Sequence, residues 1–284
     1  MSQLVVAHSR APQILTLLNE YGPLSVKGLE AIIRPRITKR RMQECLLRLY
    51  EKGLVIRRFE ASPFSRQYYE LSQSDRVRID IHKLTGIHPD RLIQPYFRSQ
   101  ELLHNEECAY WSVYLKEAFP DADVVRDFRF KEHVEIMSHF LFDQDSLHLC
   151  PDIVLFFHET ADLPRVAIAI EIELTRKSDQ RLYQKFRKYI QTSRTDGVIY
   201  LCHRNSLIDA VRSVYGKHLT EKCVRVDQYR DHFLLLGDRT FDAKTLEPKL
   251  LNHQGQGVSL KSWVNILRSD NRYYRRKELF AKPA

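Results

Sequence analysis

The stretch that decides the fold is CPDIVLFF, Cys150 to Phe157, followed by RVAIAIEIELTRKSDQRLYQKFRKYI, Arg165 to Ile190. It reads as strand, short turn, strand, helix. From Val166 to Leu174 the even positions (Val166, Ile168, Ile170, Ile172, Leu174) are apolar, while the odd ones run Ala167, Ala169, Glu171, Glu173. Side chains alternate faces along a strand, so both glutamates emerge on one side. Glutamate is depleted in strands, and acids two residues apart repel each other unless a cation or proton lies between them. With Asp152 opening the preceding strand, three carboxylates stand where they could converge on one metal ion.

Working outward, Ser178 caps a helix to about Ile190 that buries Leu182, Phe186, Tyr189 and Ile190. Asp196 to Cys202 (DGVIYLC) is a short buried strand. A further helix follows from Asn205, with Ile208, Val211, Val214 and Tyr215 on its apolar face. Cys223 to Tyr229 (CVRVDQY) is expected to be the next strand. Two strands joined through a helix imply parallel pairing, hence a mixed α/β sheet covered on both faces. Upstream, Ala122 to Lys131 reads as a strand, and Val134 to Leu149 as a poorly patterned insert or hairpin. Ser99 begins a helix carrying Leu102, Leu103, Ala109, Tyr110, Val113 and Tyr114. Glu106 falls inside that apolar sector, either buried with a partner or, as we expect, at the sector's edge and reaching water. His104 is a weaker case of the same kind. Downstream, HFLLLG suggests one more strand and Leu260 to Arg268 a short helix. The basic, aromatic end RSDNRYYRRKELFAKP suits phosphate contacts and base stacking, or a solvated tail.

The N-terminal part has a different pattern. Pro12 starts a helix with Ile14, Leu17, Leu18 and Tyr21 at helical spacing, stopped by Gly22. Ser25 caps a second, and Thr38 a third, TKRRMQECLLRLYEKG, with Lys39, Arg40 and Arg41 at its exposed start. Two β-rich runs, LVIRRFE and RQYYEL, then form a hairpin with Arg57, Arg58 and Arg66 near its tip. Three helices and a basic hairpin resemble a winged helix-turn-helix, in which the third helix enters the major groove and the wing rides on phosphates. Between Arg34 and Arg66 ten Lys or Arg face three acids, and between Lys261 and Lys277 six face one. This bias favours DNA over a purely protein-binding role. It outweighs in information the net charge of +9 over the 284 residues. Residues 72–98, with Pro89 and Pro95, read as a linker containing at most one short element. The expected organisation is a DNA-binding domain over 1–75, a linker over 76–98, a catalytic-type α/β domain over 99–235 and a basic extension over 236–284.

Five cysteines, odd in number and without a CxxC pair, argue against a disulfide framework or a thiolate zinc site. No signal peptide and no apolar run of about 18 residues is found, which predicts a cytoplasmic protein without a membrane segment. Hard cations take oxygen ligands, and Mg²⁺ is commonly held by one or two carboxylates plus water and substrate phosphate. Asp152, Glu171 and Glu173 offer that chemistry to Mg²⁺ or Mn²⁺. A bound ion lowers the pKa of a water nucleophile and stabilises charge on a ligated phosphate. Lys185, on the rim of the following helix beside Tyr189, is the candidate lysine that leans back toward the sheet, with Lys177 second.

A Pro-Asp opening one strand, Glu-x-acid in the next and a helix behind them resemble the PD-(D/E)XK, or restriction-endonuclease-like, nuclease fold. The motif's last residue is ordinarily lysine; here it is Glu173. Lysine supplied from the following helix is a recognised variation of that superfamily. Together with the winged helix, EIELTRKS and YQKFRKY resemble the plasmid replication-relaxation family and the MOBC class of mobilisation relaxases, over roughly Pro12 to Tyr229. The resemblance implies a metal-dependent, site- and strand-specific endonuclease that nicks double-stranded DNA at a plasmid transfer origin, working with accessory mobilisation proteins and a coupling protein. By position it assigns Asp152, Glu171 and Glu173 to the metal and Lys185 to the lysine role. No two histidines are separated by one residue, which argues against the His-hydrophobe-His relaxase mechanism. Tyr183 and Tyr189 lie near the site and are expected to be packing residues rather than nucleophiles. Two other readings share these features: a transposon-type end-cutting nuclease, and a DNA-binding replication or transcription regulator whose nuclease-like domain does not cut.

Overall fold

A computed structural model describes residues 10–60, 66–92, 94–136, 150–191, 195–202, 204–221, 234–238, 250–252 and 255–269. The chain is mixed α/β and divides into two units, Met1–Val113 and Tyr114–Ala284.

In the first unit α1 spans Ala11–Tyr21, β1 Leu24–Ser25, α2 Val26–Ile32, α3 Lys39–Glu51, β2 Val55–Phe59 and β3 Gln67–Leu71. Helices α2 and α3 start at side-chain caps. Ser25 Oγ accepts from the Gly28 N–H at 3.0 Å, and Thr38 Oγ1 accepts from the Arg41 N–H at 3.4 Å, satisfying amides that have no intrahelical partner. Met42, Leu46 and Leu49 of α3 repeat at helical spacing and are buried against Ile14, Leu18, Leu29 and Val55. Burying each such side chain contributes about 1.5–3 kcal/mol. The strands form an antiparallel sheet in the order β1-β3-β2, with Val55 opposite Leu71 and Leu24 opposite Tyr69. The hairpin tip, 61–65, lies outside the described residues.

The segment expected to be a linker is structured. Helix α4, Asp75–Thr85, starts after Ser74 and ends at Gly86 in the left-handed conformation. Its Ile81 and the nearby Leu92 are buried in the same core as α1 and α3. Val77, Ile81 and Leu84 carry a helical period that Pro89 and Pro95 obscure. The expected boundary at residue 99 also moves. A short 3-10 turn at Ser99–Glu101 leads into α5, Leu102–Ala118, and the division between units falls inside that helix, after Val113.

The second unit is built on a seven-stranded sheet in the order β10-β9-β8-β7-β6-β5-β4. These are β4 Asp123–Arg126, β5 Ile153–Phe157, β6 Val166–Glu173, β7 Gly197–Cys202, β8 Leu234–Asp238, β9 Leu250–Asn252 and β10 Gly257–Val258. β4, β5 and β6 pair antiparallel; β6, β7 and β8 pair parallel. The parallel pairs require crossovers, which α6 (Asp179–Gln191) and α7 (Asn205–Glu221) provide. The two faces of β6 are both buried. Ala167 and Ala169 join Val154, Phe156, Val198 and Tyr200 under Leu182, Phe186 and Tyr189 of α6 and Val211, Val214 and Tyr215 of α7. On the opposite face Phe157 meets the ring of Phe119 edge-on at 5.7 Å. Trp263 of α8 (Leu260–Ser269) lies so close to Gly197 that a Cβ there would stand 2.5 Å from the indole.

Two expectations change here, and two expected segments lie outside the described residues. The strand expected over Ala122 to Lys131 ends at Arg126, and Asp127–Glu132 is a 3-10 turn. The stretch CVRVDQY and most of the insert, 137–149, lie outside the described residues. The partner of β7 is Leu234–Asp238, part of the HFLLLG run. The region read as a C-terminal extension contributes β9, β10 and the buried Trp263, so sheet and core continue past residue 235. Residues 270–284 lie outside the described residues. None of the described helices is long and apolar enough to cross a membrane.

Candidate functional site

Asp152 precedes β5, and the register that pairs Ile153 with Ile170 carries it opposite Glu171 on the neighbouring strand. Side chains directly opposite in an antiparallel pair have Cβ atoms about 4.5–5.5 Å apart. Asp152 Oδ2 accepts from the Ile172 N–H at 2.7 Å, which ties the acid to the backbone between the two glutamates. The backbone N–H of Asp127 donates to the Asp152 carbonyl at 3.1 Å, bringing a fourth acidic residue to this edge that sequence reading did not single out.

Glu171 is buried and doubly held. The Tyr189 hydroxyl donates to Oε1, and the Lys185 ammonium group donates to Oε2. Lys185 and Tyr189 are four residues apart on α6, so they present to the sheet from one helix face. Burial pushes the Glu171 carboxyl above its ordinary range; Lys185 opposes that rise and Asp152 adds to it. Burial alone would lower the Lys185 ammonium group. The pull of Glu171, then Asp152, then Glu173 outweighs it and holds Lys185 above its ordinary value. Burial, reinforced by Glu171, raises Tyr189 well above the usual phenol range, so a neutral hydroxyl serves Glu171. Tyr183 is partly buried against the same core.

Glu173 is also buried, yet its partner is Lys177, whose Nζ lies 2.7 Å from Oε2. Lys177, second choice as the site lysine, instead neutralises Glu173. Among the described residues, Asp152, Glu171 and Glu173 do not form a cluster whose ligand atoms all lie within 4.8 Å of one another. The structure thus brings Asp152, Glu171 and Lys185 together and turns Glu173 toward Lys177.

These groups fit a hard divalent cation through Asp152 and Glu171, since Mg²⁺ needs only one or two carboxylates from the protein. A second observation agrees. The Tyr200 hydroxyl, on β7 in register with Glu171, is buried and has no hydrogen-bond partner among the described residues. An unsatisfied buried hydroxyl costs about 1–3 kcal/mol. A hydrated ion at the neighbouring carboxylates would supply its partner.

The basic residues separate into two groups. Lys39, Arg40 and Arg41 are exposed at the start of α3, with Arg40 pairing to Glu44 at 2.9 Å on the surface. Arg66 is exposed, and Arg57 lies over the Tyr50 ring at 4.0 Å from its centroid. Arg58 differs. It pairs with Glu70 at 3.0 Å, donates to the Phe97 carbonyl at 2.8 Å and lies largely buried. Adjacent strand residues face opposite ways, so Arg57 and Arg58 cannot share one surface.

Glu106 is buried, contrary to the expectation that it reaches water. Its Oε2 accepts from the Ser25 N–H at 2.7 Å, and a Cβ on Gly28 would come within 2.4 Å of that oxygen. Its role is to hold the start of α2. His104 Nδ1 lies 3.7 Å from Cys108 Sγ. Sequence reading missed the bond between Tyr189 and Glu171. Its signal was the four-residue spacing of Lys185 and Tyr189 behind an acid-bearing strand.

Compared with protein-family models, with characterised proteins and with solved structures, the chain matches none.

Proposed function

We propose that the chain is a metal-dependent, site- and strand-specific DNA endonuclease of relaxase type that nicks a plasmid transfer origin. Under this reading the first unit is a winged helix that finds the DNA, and the second is a restriction-endonuclease-like domain that cuts it. The observation that carries the proposal is Lys185 on Glu171 beside Asp152, where two inner strands of a buried sheet pair. The order β1-β3-β2 with an exposed basic start to α3 supports the winged helix.

Asp152 and Glu171 would hold Mg²⁺ or Mn²⁺, which supplies an activated water and stabilises charge on the phosphate. The chain's own residues do the rest. Tyr189 orients the Glu171 carboxylate, the Ile172 N–H orients that of Asp152, and Lys185 brings a positive charge to the same edge. Lys39, Arg40, Arg41, Arg57 and Arg66 would meet DNA phosphates and bases, while Arg58 braces the hairpin. Accessory mobilisation proteins and a coupling protein belong to this proposal as partners, and the cytoplasm as its compartment.

The test is relaxation of supercoiled plasmid carrying the cognate origin, with Mg²⁺ or Mn²⁺. Relaxation by wild type that is lost in Asp152→Ala and Glu171→Ala, with DNA binding retained, supports the proposal. Equal relaxation by all three, or none by wild type, refutes it. One observation favours a second reading, that of a DNA-binding replication or transcription regulator that does not cut: Glu173 is neutralised by Lys177 where the motif has a lysine. That reading expects binding to the origin without relaxation.

A further inference from the structure

We infer that Lys185 is an exchangeable internal counter-ion, which occupies the cation position in the metal-free protein and leaves Glu171 when a divalent ion binds. The inference rests on the metal-dependent reading above and adds how the site is controlled.

The position of the ammonium group is the first argument. It touches Glu171 Oε2 and is drawn also by Asp152 and Glu173, the same three carboxylates that would attract a metal ion. Tyr189 occupies Oε1, so Oε2 is the oxygen that Lys185 and a metal ion would both seek. The two cations compete for one atom.

Charge balance is the second. Asp127 is offset by Arg126 at 3.6 Å; of the remaining charges Asp152, Glu171 and Glu173 carry three negative and Lys177 and Lys185 two positive, leaving the cluster one negative charge. Adding a divalent cation without exchange would leave it one positive charge in a largely buried place, where an uncompensated charge is costly. If Lys185 withdraws, the ion, Lys177 and the three carboxylates balance.

Mobility is the third. The Lys185 side chain is 23% exposed, against 3% for Glu171. The carboxylate is fixed by the sheet and by Tyr189, while the lysine stem borders solvent and can turn outward. Once released, the ammonium group stands at the edge where a DNA phosphate would approach. Metal binding frees it, and phosphate gives it a new partner. Metal and DNA are therefore expected to bind cooperatively.

Mn²⁺ itself is the probe, with free Mn²⁺ measured by electron paramagnetic resonance during titration of the full chain without DNA. Lys185→Met is expected to bind Mn²⁺ tighter than wild type by roughly tenfold, about 1.4 kcal/mol. Equal or weaker binding overturns the exchange. A second measurement needs no substitution: amine acylation of wild type, read by mass spectrometry relative to the other lysines. Lys185 should be labelled several-fold faster with saturating Mn²⁺ than without it, and equal rates overturn the inference. Equal rates alongside Mn²⁺-dependent nicking would reject the exchange alone. Absence of Mn²⁺ binding by wild type and variant alike would reject the metal site and the exchange with it.

Discussion

Replacing Tyr189 with Phe removes a single oxygen atom and leaves the ring packed among Leu182, Phe186 and Tyr200. The lost bond runs from a neutral hydroxyl to the buried Glu171 carboxylate. Hydrogen bonds to charged groups contribute about 1.5–3 kcal/mol. Because Lys185 remains on the other oxygen, Glu171 is not left without compensation, which places the loss near the lower bound, about 1.5–2 kcal/mol. For a unit of this size each kcal/mol lowers Tm by about 2–4 °C, so a drop of about 3–8 °C is expected. The assay is denaturant unfolding of wild type, Tyr189→Phe, Glu171→Gln and the double variant, followed by tryptophan fluorescence; Trp263 reports the second unit. The two substitutions should be non-additive by about 1 kcal/mol or more, as expected for groups in contact. Additive effects, or a Tyr189→Phe protein within about 0.3 kcal/mol of wild type, would show that the hydroxyl does not hold the carboxylate.

Further outcomes follow from other contacts. Gly197→Ala puts a methyl group into the Trp263 indole and should destabilise the second unit by about 1–3 kcal/mol, read as a lower denaturant midpoint. Arg40→Ala with Arg41→Ala should weaken DNA binding and flatten its dependence on salt, in a fluorescence anisotropy titration at several salt concentrations. Arg58→Ala should instead lower the stability of the first unit, since it strands the largely buried Glu70; a large change in salt slope without destabilisation would contradict its assigned role. Burial raises the Glu70 carboxyl, with Arg58 opposing, so the folded state holds that proton more tightly than the unfolded one. Its stabilising contribution is then present below the unfolded pKa and is lost as pH rises through the folded value. Wild type should accordingly gain stability relative to Glu70→Gln as pH falls from about 7 to 4, measured by thermal denaturation.

The parts of the fold legible in the sequence are those where one local rule decides. Ser25 and Thr38 cap helices because each places a side-chain oxygen on an amide of the first turn. The alternation from Val166 to Glu173 announced a strand with both glutamates on one side, and the helix between two apolar strands announced parallel pairing in a sheet covered on both faces. Misread elements were those where two signals competed. Prolines 89 and 95 hid the helical period of Val77, Ile81 and Leu84. The short β9 and β10 gain their place from pairing with β8 and not from their own pattern. The site divides in the same way. Asp152 and Glu171 were legible because strand period and register follow from backbone geometry. The partners of Glu173 and Glu106 were not, since a long side chain's direction depends on tertiary neighbours such as Lys177 and the Ser25 amide.

The most direct test of the account is a crystal structure of the protein soaked in Mn²⁺, with data collected to locate the ion by its anomalous scattering. A peak bound by Asp152 and Glu171 is expected, with Tyr189 still on Glu171 and Lys185 turned away. No peak there, with Lys185 still seated on Glu171, would contradict it.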